Sequence, residues 1–263
     1  MFKNYFKIAF RNLQRNKIFS IINIAGLALG LACVMLIILY VKDEVSYDRF
    51  HKNVSNIYRI AVKSKFDGKE RKDGNTGFLQ GPRFTQNIPG IESFVRIQGG
   101  NEDIKTGTEI LSQDLLYVDS SFFSVFTFPL LRGNPKTCLT EPHSIVLTED
   151  AAKKRFGTID ALGKTVMVKE DSAFIPDKVT AVAKNCPQNS SIQFSTLLQF
   201  KEAEKDAQDN DNWYNFFLNT FVVLAPRANL LTVDNQMQRF YLKDASATFK
   251  EMIEKYGGGP DAQ

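Results

Sequence analysis

The longest uninterrupted apolar stretch runs from Ile18 to Val41, IFSIINIAGLALGLACVMLIILYV, and its polar members are Ser20 and Asn23, both near its start. A helix of that length is ~36 Å long at 1.5 Å per residue, enough to cross ~30 Å of hydrocarbon with some tilt. The pattern therefore predicts one membrane-spanning helix, with Lys17 on one side and Lys42-Asp43-Glu44 on the other. Before it, Phe2, Phe6, Ala9, Phe10 and Leu13 recur at near-helical spacing, while Lys3, Asn4, Lys7 and Arg11 fall elsewhere on the wheel. That spacing predicts an amphipathic helix lying on the membrane surface. After the span, Tyr47, Phe50, Val54 and Ile57 follow steps of three and four. They predict a helix that continues out of the membrane as a stalk and then gives way to a strand near Tyr58 to Val62.

The rest of the chain alternates short strand and helix signals. Lys65 to Gly77 is polar and reads as a loop or hairpin connection. Phe78 to Asn87 reads as a helix interrupted at Gly81-Pro82 and stopped by Pro89-Gly90. Ile91 to Gln98 alternates apolar and polar residues as a strand does, and Glu109 to Val118 offers one or two more. Ser120 to Phe128 reads as a short aromatic helix, and Ser144 to Leu147 as a strand. Thr148 is placed to cap a helix from Glu149 to Phe156, with acids in its first turn, bases in its last and Gly157 beyond it. Lys164 to Val168, Lys178 to Ala183 and Leu218 to Leu224 read as strands. Asn229 to Tyr256 reads as a long helix stopped by Gly257-Gly258-Gly259-Pro260. No steady βαβ alternation is present, so the expected class is α+β.

Charge orients the span. The first seventeen residues hold five bases and no acid, leaving 28 bases against 29 acids in the remainder of a chain of net charge +4. The basic excess is thus a property of the N-terminus and does not describe a nucleic-acid-binding body. By the positive-inside rule residues 1–17 are expected in the cytoplasm, 18–41 in the membrane and 42–263 in the periplasm. The run is too long for a cleaved signal peptide and offers no small-residue cleavage site. Gly30 stands where a lipoprotein signal ending at Cys33 would place a larger aliphatic residue. Within the span, Gly26 and Gly30 form G-x-x-x-G, a spacing that lets helix backbones approach closely and so marks a transmembrane packing face.

Catalytic chemistry is hard to find. Gly157 to Thr165, GTIDALGKT, imitates a P-loop, but five residues separate its first Gly from Gly-Lys-Thr where four are required, and the expected helix precedes the motif where a strand should. The two histidines, His51 and His143, have no ligand-spaced partners in sequence and fit no nucleophile–base arrangement. His51 is expected on the stalk surface, and no G-x-S-x-G occurs. Cys138 and Cys186 would meet an oxidising compartment, and their spacing neither demands nor forbids a disulfide. No catalytic, cofactor-binding or metal-binding residue is expected.

Several segments resemble one family. FKIAFRNLQRNKIFSIINIAGLALGLACVMLIILYVKDEVSYDRFHKNVSNIYRI is similar to the start of MacB/FtsX-type ABC transporter permeases in the form typical of Bacteroidetes. VDSSFFSVFTFPLLRGNP, EPHSIVLTEDAAKKRFG, LGKTVMV and VTAVAKNCPQNSSIQF follow in the family's order. The resemblance implies a MacB-like periplasmic core domain, two α+β lobes on a helical stalk, in the inner membrane. It further implies a homodimeric or paired permease, a separate cytoplasmic ABC ATPase that alone binds ATP, and in some systems a periplasmic adaptor. Such a subunit is not an enzyme. It transmits ATP-driven motion to the periplasm for export or extraction of a peptide, antibiotic or lipoprotein. Relatives carry further membrane helices after this domain, and no second apolar run of spanning length follows here, so the chain is expected to be a fragment or a truncated relative. The other reading of the residues is a single-pass, membrane-anchored periplasmic sensor or interaction protein.

Overall fold

The structure is a computed structural model that describes residues 2–66, 69–200, 213 and 215–256. Asp67-Gly68 in the expected hairpin and the glycine-rich stop after Tyr256 lie outside the described residues. The chain divides into two units, Met1–Asp48 and Arg49–Gln263.

The first unit is helical. α1 spans Phe2–Arg15 and α2 spans Lys17–Ser46, with Asn16 leaving helical geometry between them at φ −112°, ψ 56°. On α1 the apolar side chains of Phe10 and Leu13 are exposed, at 58% and 42%. α2 is apolar on every side and buries nothing: Leu27 is 67% exposed and Leu36 66%. A helix apolar all round requires lipid or other helices around it. It is the one helix among the described residues long and apolar enough to cross a membrane.

α2 does not continue as a stalk. It ends at Ser46, whose hydroxyl donates to the Asp43 carbonyl at 2.7 Å. Tyr47 is then extended at φ −55°, ψ 131°, and Asp48 takes φ +57°, the left-handed region that a helix cannot propagate through. Val54–Asn56 is an isolated 3-10 turn, and Ile57 already begins a strand. Tyr47, Phe50, Val54 and Ile57 therefore share no helical face. The steps of three and four came from a turn and a strand that happen to match the helical period.

The second unit is built on a nine-stranded sheet. Its strands are β1 (Ile57–Arg59), β4 (Ile91–Thr106), β5 (Glu109–Val118), β6 (Leu130–Arg132), β7 (Ser144–Thr148), β8 (Thr165–Glu170), β9 (Ala173–Ala183), β10 (Thr196–Gln199) and β11 (Asn219–Leu224). β2 (Val62–Phe66) and β3 (Lys69–Asp73) pair separately as a hairpin. Six strands close on themselves in the order β4–β5–β10–β7–β9–β8 and back to β4, making a small barrel. Closure leaves those strands no free edge within the ring. The interior is filled by Ile104, Leu115, Ile145, Leu147, Val166 and Val168, all 3% exposed or less. One end is covered by α5 (Glu149–Phe156), held at its start by Thr148 Oγ1, which accepts from the Ala151 amide at 3.4 Å. Gly157 ends it at φ +70°, donating to the Lys153 carbonyl at 2.8 Å. Both caps are those the sequence predicts.

β11 and β1 extend the sheet beyond β4 as an open wing. α3 (Gln80–Asn87) and α6 (Leu230–Tyr256) pack on it around Phe84, Trp213 and Val222. Trp213 is fully buried, and its indole donates to Asp244 Oδ2 at 3.0 Å. The expected interruption of α3 at Gly81-Pro82 does not occur. Pro82 sits in the first turn, where its missing N–H has no helical acceptor to lose. Between barrel and wing lies an aromatic cluster fed by α4 (Phe122–Val125): Phe122, Phe123, Phe126 and Phe128 are each 7% exposed or less, and Phe122 stacks parallel to Phe128 at 5.7 Å. At its edge the Arg96–Asp119 ion pair, 2.7 Å apart, is enclosed by the rings of Phe78, Phe94 and Phe200. Mixed helix and sheet confirm the α+β class. One sheet runs continuously through barrel, cluster and wing.

Candidate functional site: the anchor beyond the apolar helix

The chain enters the folded unit at Arg49, and the next three residues fasten it. Phe50 packs against the aromatic cluster, its ring 5.4 Å from that of Phe128. His51, expected on a surface, is 4% exposed, with its ring 5.2 Å from Phe126 and 5.1 Å from Phe128. Its Nδ1 accepts a hydrogen bond from the Thr127 amide at 3.0 Å, and the Lys52 amide donates to Thr127 Oγ1 at 3.0 Å. Two reciprocal hydrogen bonds thus tie residues 51–52 to Thr127. Acceptance at Nδ1 places the neutral ring's proton on Nε2. Nothing local in the sequence signals this burial, because the partners lie 75 and 76 residues away.

The other expected site residues are distributed around this anchor. Ile57, on β1, packs on the same cluster, whereas Tyr47 and Val54 are exposed, at 43% and 41%. Gly26 and Gly30 both lie on α2, and a methyl group added at either would meet nothing within 4 Å. Their face is therefore open to another helix. Cys138 and Cys186 are both free thiols at the aromatic cluster. Burial pushes the Cys138 thiol up to about 11, and burial also raises that of Cys186.

The P-loop imitation is a turn. The amides of Gly163 and Lys164 donate to the carbonyls of Val179 and Ala161 at 2.7 and 3.0 Å, so neither is available to cradle a phosphate. Lys164 Nζ lies 4.9 Å from the centre of the Phe156 ring.

The end of the barrel opposite α5 is polar. Tyr117 donates its hydroxyl proton to Glu102 Oε1 at 2.8 Å. Burial first, then this bond and the charges of Glu102, Glu170 and Asp177, hold its phenol above the ordinary range. His143, immediately before β7, brings its Nδ1 to 3.5 Å from Asp177 Oδ1 on β9.

These features match a known domain. The MacB-like periplasmic core domain model matches residues 20–240. The chain belongs to that family. No curated protein matches it. Among solved structures, a domain from a permease-type protein of Porphyromonas gingivalis is 21% identical, with 73% of this chain and 83% of that one covered at a TM-score of 0.60. The extracellular domain of the ABC-type transporter YknZ from Gram-positive bacteria is 13% identical, covering 73% and 95% at a TM-score of 0.50. The periplasmic region of MacB from Actinobacillus actinomycetemcomitans is 16% identical, covering 70% and 85% at a TM-score of 0.48. At these identities the first two likenesses establish the fold.

Proposed function

We propose that this chain is a permease subunit, or the N-terminal part of one, of a MacB/FtsX-type ABC transporter. The observation that carries the reading is the order of parts: the match to the MacB-like periplasmic core family begins at residue 20, inside the apolar helix of spanning length, and runs on through the folded unit to residue 240. The neighbouring YknZ domain belongs to an ABC-type transporter. In this reading residues 1–17 stay cytoplasmic, the span crosses the inner membrane, and the folded unit lies in the periplasm. A separate ABC ATPase binds the ATP, and the permease works as a homodimer or pair, with a periplasmic adaptor in some systems. Motion of the membrane helix reaches the folded unit through the Phe50–His51–Thr127 anchor. A peptide, antibiotic or lipoprotein is the cargo class.

Affinity purification of the tagged full-length protein from native membranes in mild detergent tests this. An ATP-hydrolysing ABC subunit is expected to copurify in stoichiometric amount. Recovery with a kinase or chemotaxis module and no ATPase would instead establish the membrane-anchored sensor.

A further inference from the structure

β4 reaches from the wing into the barrel, and its two edges are not equally filled. On one edge β5 pairs with it without a break from Ile97↔Val118 to Thr106↔Glu109. The other edge is shared between two strands. β11 pairs along it from Ile91 to Ile97, and β8 closes the ring on it at Ile104 and Lys105. Between these two, residues 98–103 have no neighbouring strand on that edge among the described residues. Six residues of strand are about 20 Å long.

Successive residues of a strand turn their N–H and C=O groups to opposite edges. The Arg96 amide donates to Asp119 Oδ2 at 2.6 Å and its carbonyl accepts from the Asp119 amide at 3.4 Å, both on the β5 side. Gly99, Asn101 and Asp103 therefore aim their backbone groups away from β5, into the gap. Gly99 and Asn101 are exposed, and a methyl group added at Gly99 would meet nothing within 4 Å. With no side chain at Gly99 or Gly100, a second backbone can approach closely. Lysine and proline, common guards of a free edge, are absent from the stretch Gln98-Gly99-Gly100-Asn101-Glu102-Asp103.

Charge selects the occupant. Glu102 and Asp103 lie on the stretch, and Asp114 of β5 stands opposite Asn101 and accepts from its side-chain amide at 2.7 Å. Glu102 is held by the neutral Tyr117 hydroxyl, and Lys169, 3.3 Å from Asp103, offsets one charge of the three. A second copy of this edge would set acid against acid, which destabilises paired strands. A segment bearing Lys or Arg at alternate positions sets opposite charges there, and its own backbone completes the ladder.

We propose that the edge of β4 at residues 98–103 is a strand-addition site for an extended basic segment of a partner protein. The guest strand fills the gap between β11 and β8 and bonds the backbone groups of Gly99, Asn101 and Asp103. Its lysines or arginines lie beside Glu102, Asp103 and Asp114. The site uses residues of the folded unit only, so it stands whether or not the chain serves a transporter.

Fluorescence anisotropy of a labelled Lys-Val-Lys-Val-Lys-Val-Lys peptide, titrated with the full chain in uncharged detergent, tests the proposal. Saturable one-to-one binding is expected. N-methylation of every peptide amide, which keeps the charge and removes the N–H donors, abolishes it, and Glu in place of Lys weakens it about tenfold or more. In the protein, the pair Glu102→Gln and Asp103→Asn weakens binding about tenfold or more, as does Gly99→Pro, which removes an edge-facing N–H. Asp160→Asn, which removes an exposed charge beside Arg132, leaves it unchanged. Should a variant unfold, amide hydrogen exchange of the wild-type chain decides. Bound peptide slows exchange at Gly99, Asn101 and Asp103 and leaves Gly100 and Glu102, which face β5, as they were. Absence of saturable binding, equal binding of the N-methylated peptide, or protection without that alternation overturns the proposal.

Discussion

The barrel and the anchor hold the chain by opposite means. In the barrel, backbone ladders run round a closed ring and apolar side chains fill the middle, so position is fixed many times over. At the anchor, one histidine, one threonine and a few phenylalanine rings fasten the chain that arrives from α2. A ring of ladders resists deformation because no strand can shift without breaking bonds on both sides. A side-chain clamp yields sooner, and it transmits force to whatever it is bonded to. The contrast separates a body fixed by many backbone ladders from a point held by a few side chains.

Substitutions break the comparison in order of size. Phe122→Ala empties the centre of the aromatic cluster and is expected to cost about 4 kcal/mol, read by denaturant unfolding of the full chain in detergent. Leu147→Ala inside the barrel is expected to cost about 3 kcal/mol. If Leu147→Ala proved the costlier, the cluster would be an accessory to the barrel and not the joint between barrel and wing.

His51→Ala is a smaller and more local change. It leaves the Thr127 amide without its acceptor, which costs about 2 kcal/mol. Hydrogen exchange should quicken at Lys52 and Thr127 while barrel amides keep their protection. Uniform quickening would mean that anchor and barrel unfold together, and the distinction between them would fall.

Alkali sharpens the picture further. Cys138 is protonated in the folded state up to about pH 11, against an unfolded value of 9.0, so its contribution is full below pH 9 and lost as pH rises through about 11. Tyr117, also raised, acts in the same direction. The stability advantage of wild type over Cys138→Ala should shrink across that window by about 2 kcal/mol, as measured by paired melts. The smallest effect on folding belongs to Gly30→Leu. The site is open, so unfolding should be unchanged to within about 0.5 kcal/mol, while helix–helix association in the membrane falls. Intact association would return the glycine pair to chance.

Local signals were legible where local physics decides the structure. The apolar run yields α2 because hydropathy needs no tertiary context, and Thr148 and Gly157 bracket α5 because capping is a matter of a few residues. Pro82 reads as a break in the sequence, although its effect depends on whether it falls in the first turn or the interior of a helix. β10 carries no signal in the sequence because Thr196–Gln199 is only four residues long and lies between two neighbouring strands, so its pattern lacks alternation. The apparent stalk periodicity of Tyr47 to Ile57 could not reveal the left-handed Asp48. The burial of His51 and the approach of His143 to Asp177 are products of strand order, which spacing along the chain does not carry.

The central claim is that ATP hydrolysis in a partner subunit moves this folded unit through the anchor. Val54, exposed and three residues beyond His51, is a suitable reporter. The full-length Val54→Cys protein, with its native cysteines replaced, would carry an environment-sensitive fluorophore and be reconstituted with its ABC ATPase in nanodiscs. ATP is expected to shift the emission, and a hydrolysis-deficient ATPase to abolish cycling of that shift. Unchanged emission while the ATPase is hydrolysing ATP would contradict the account.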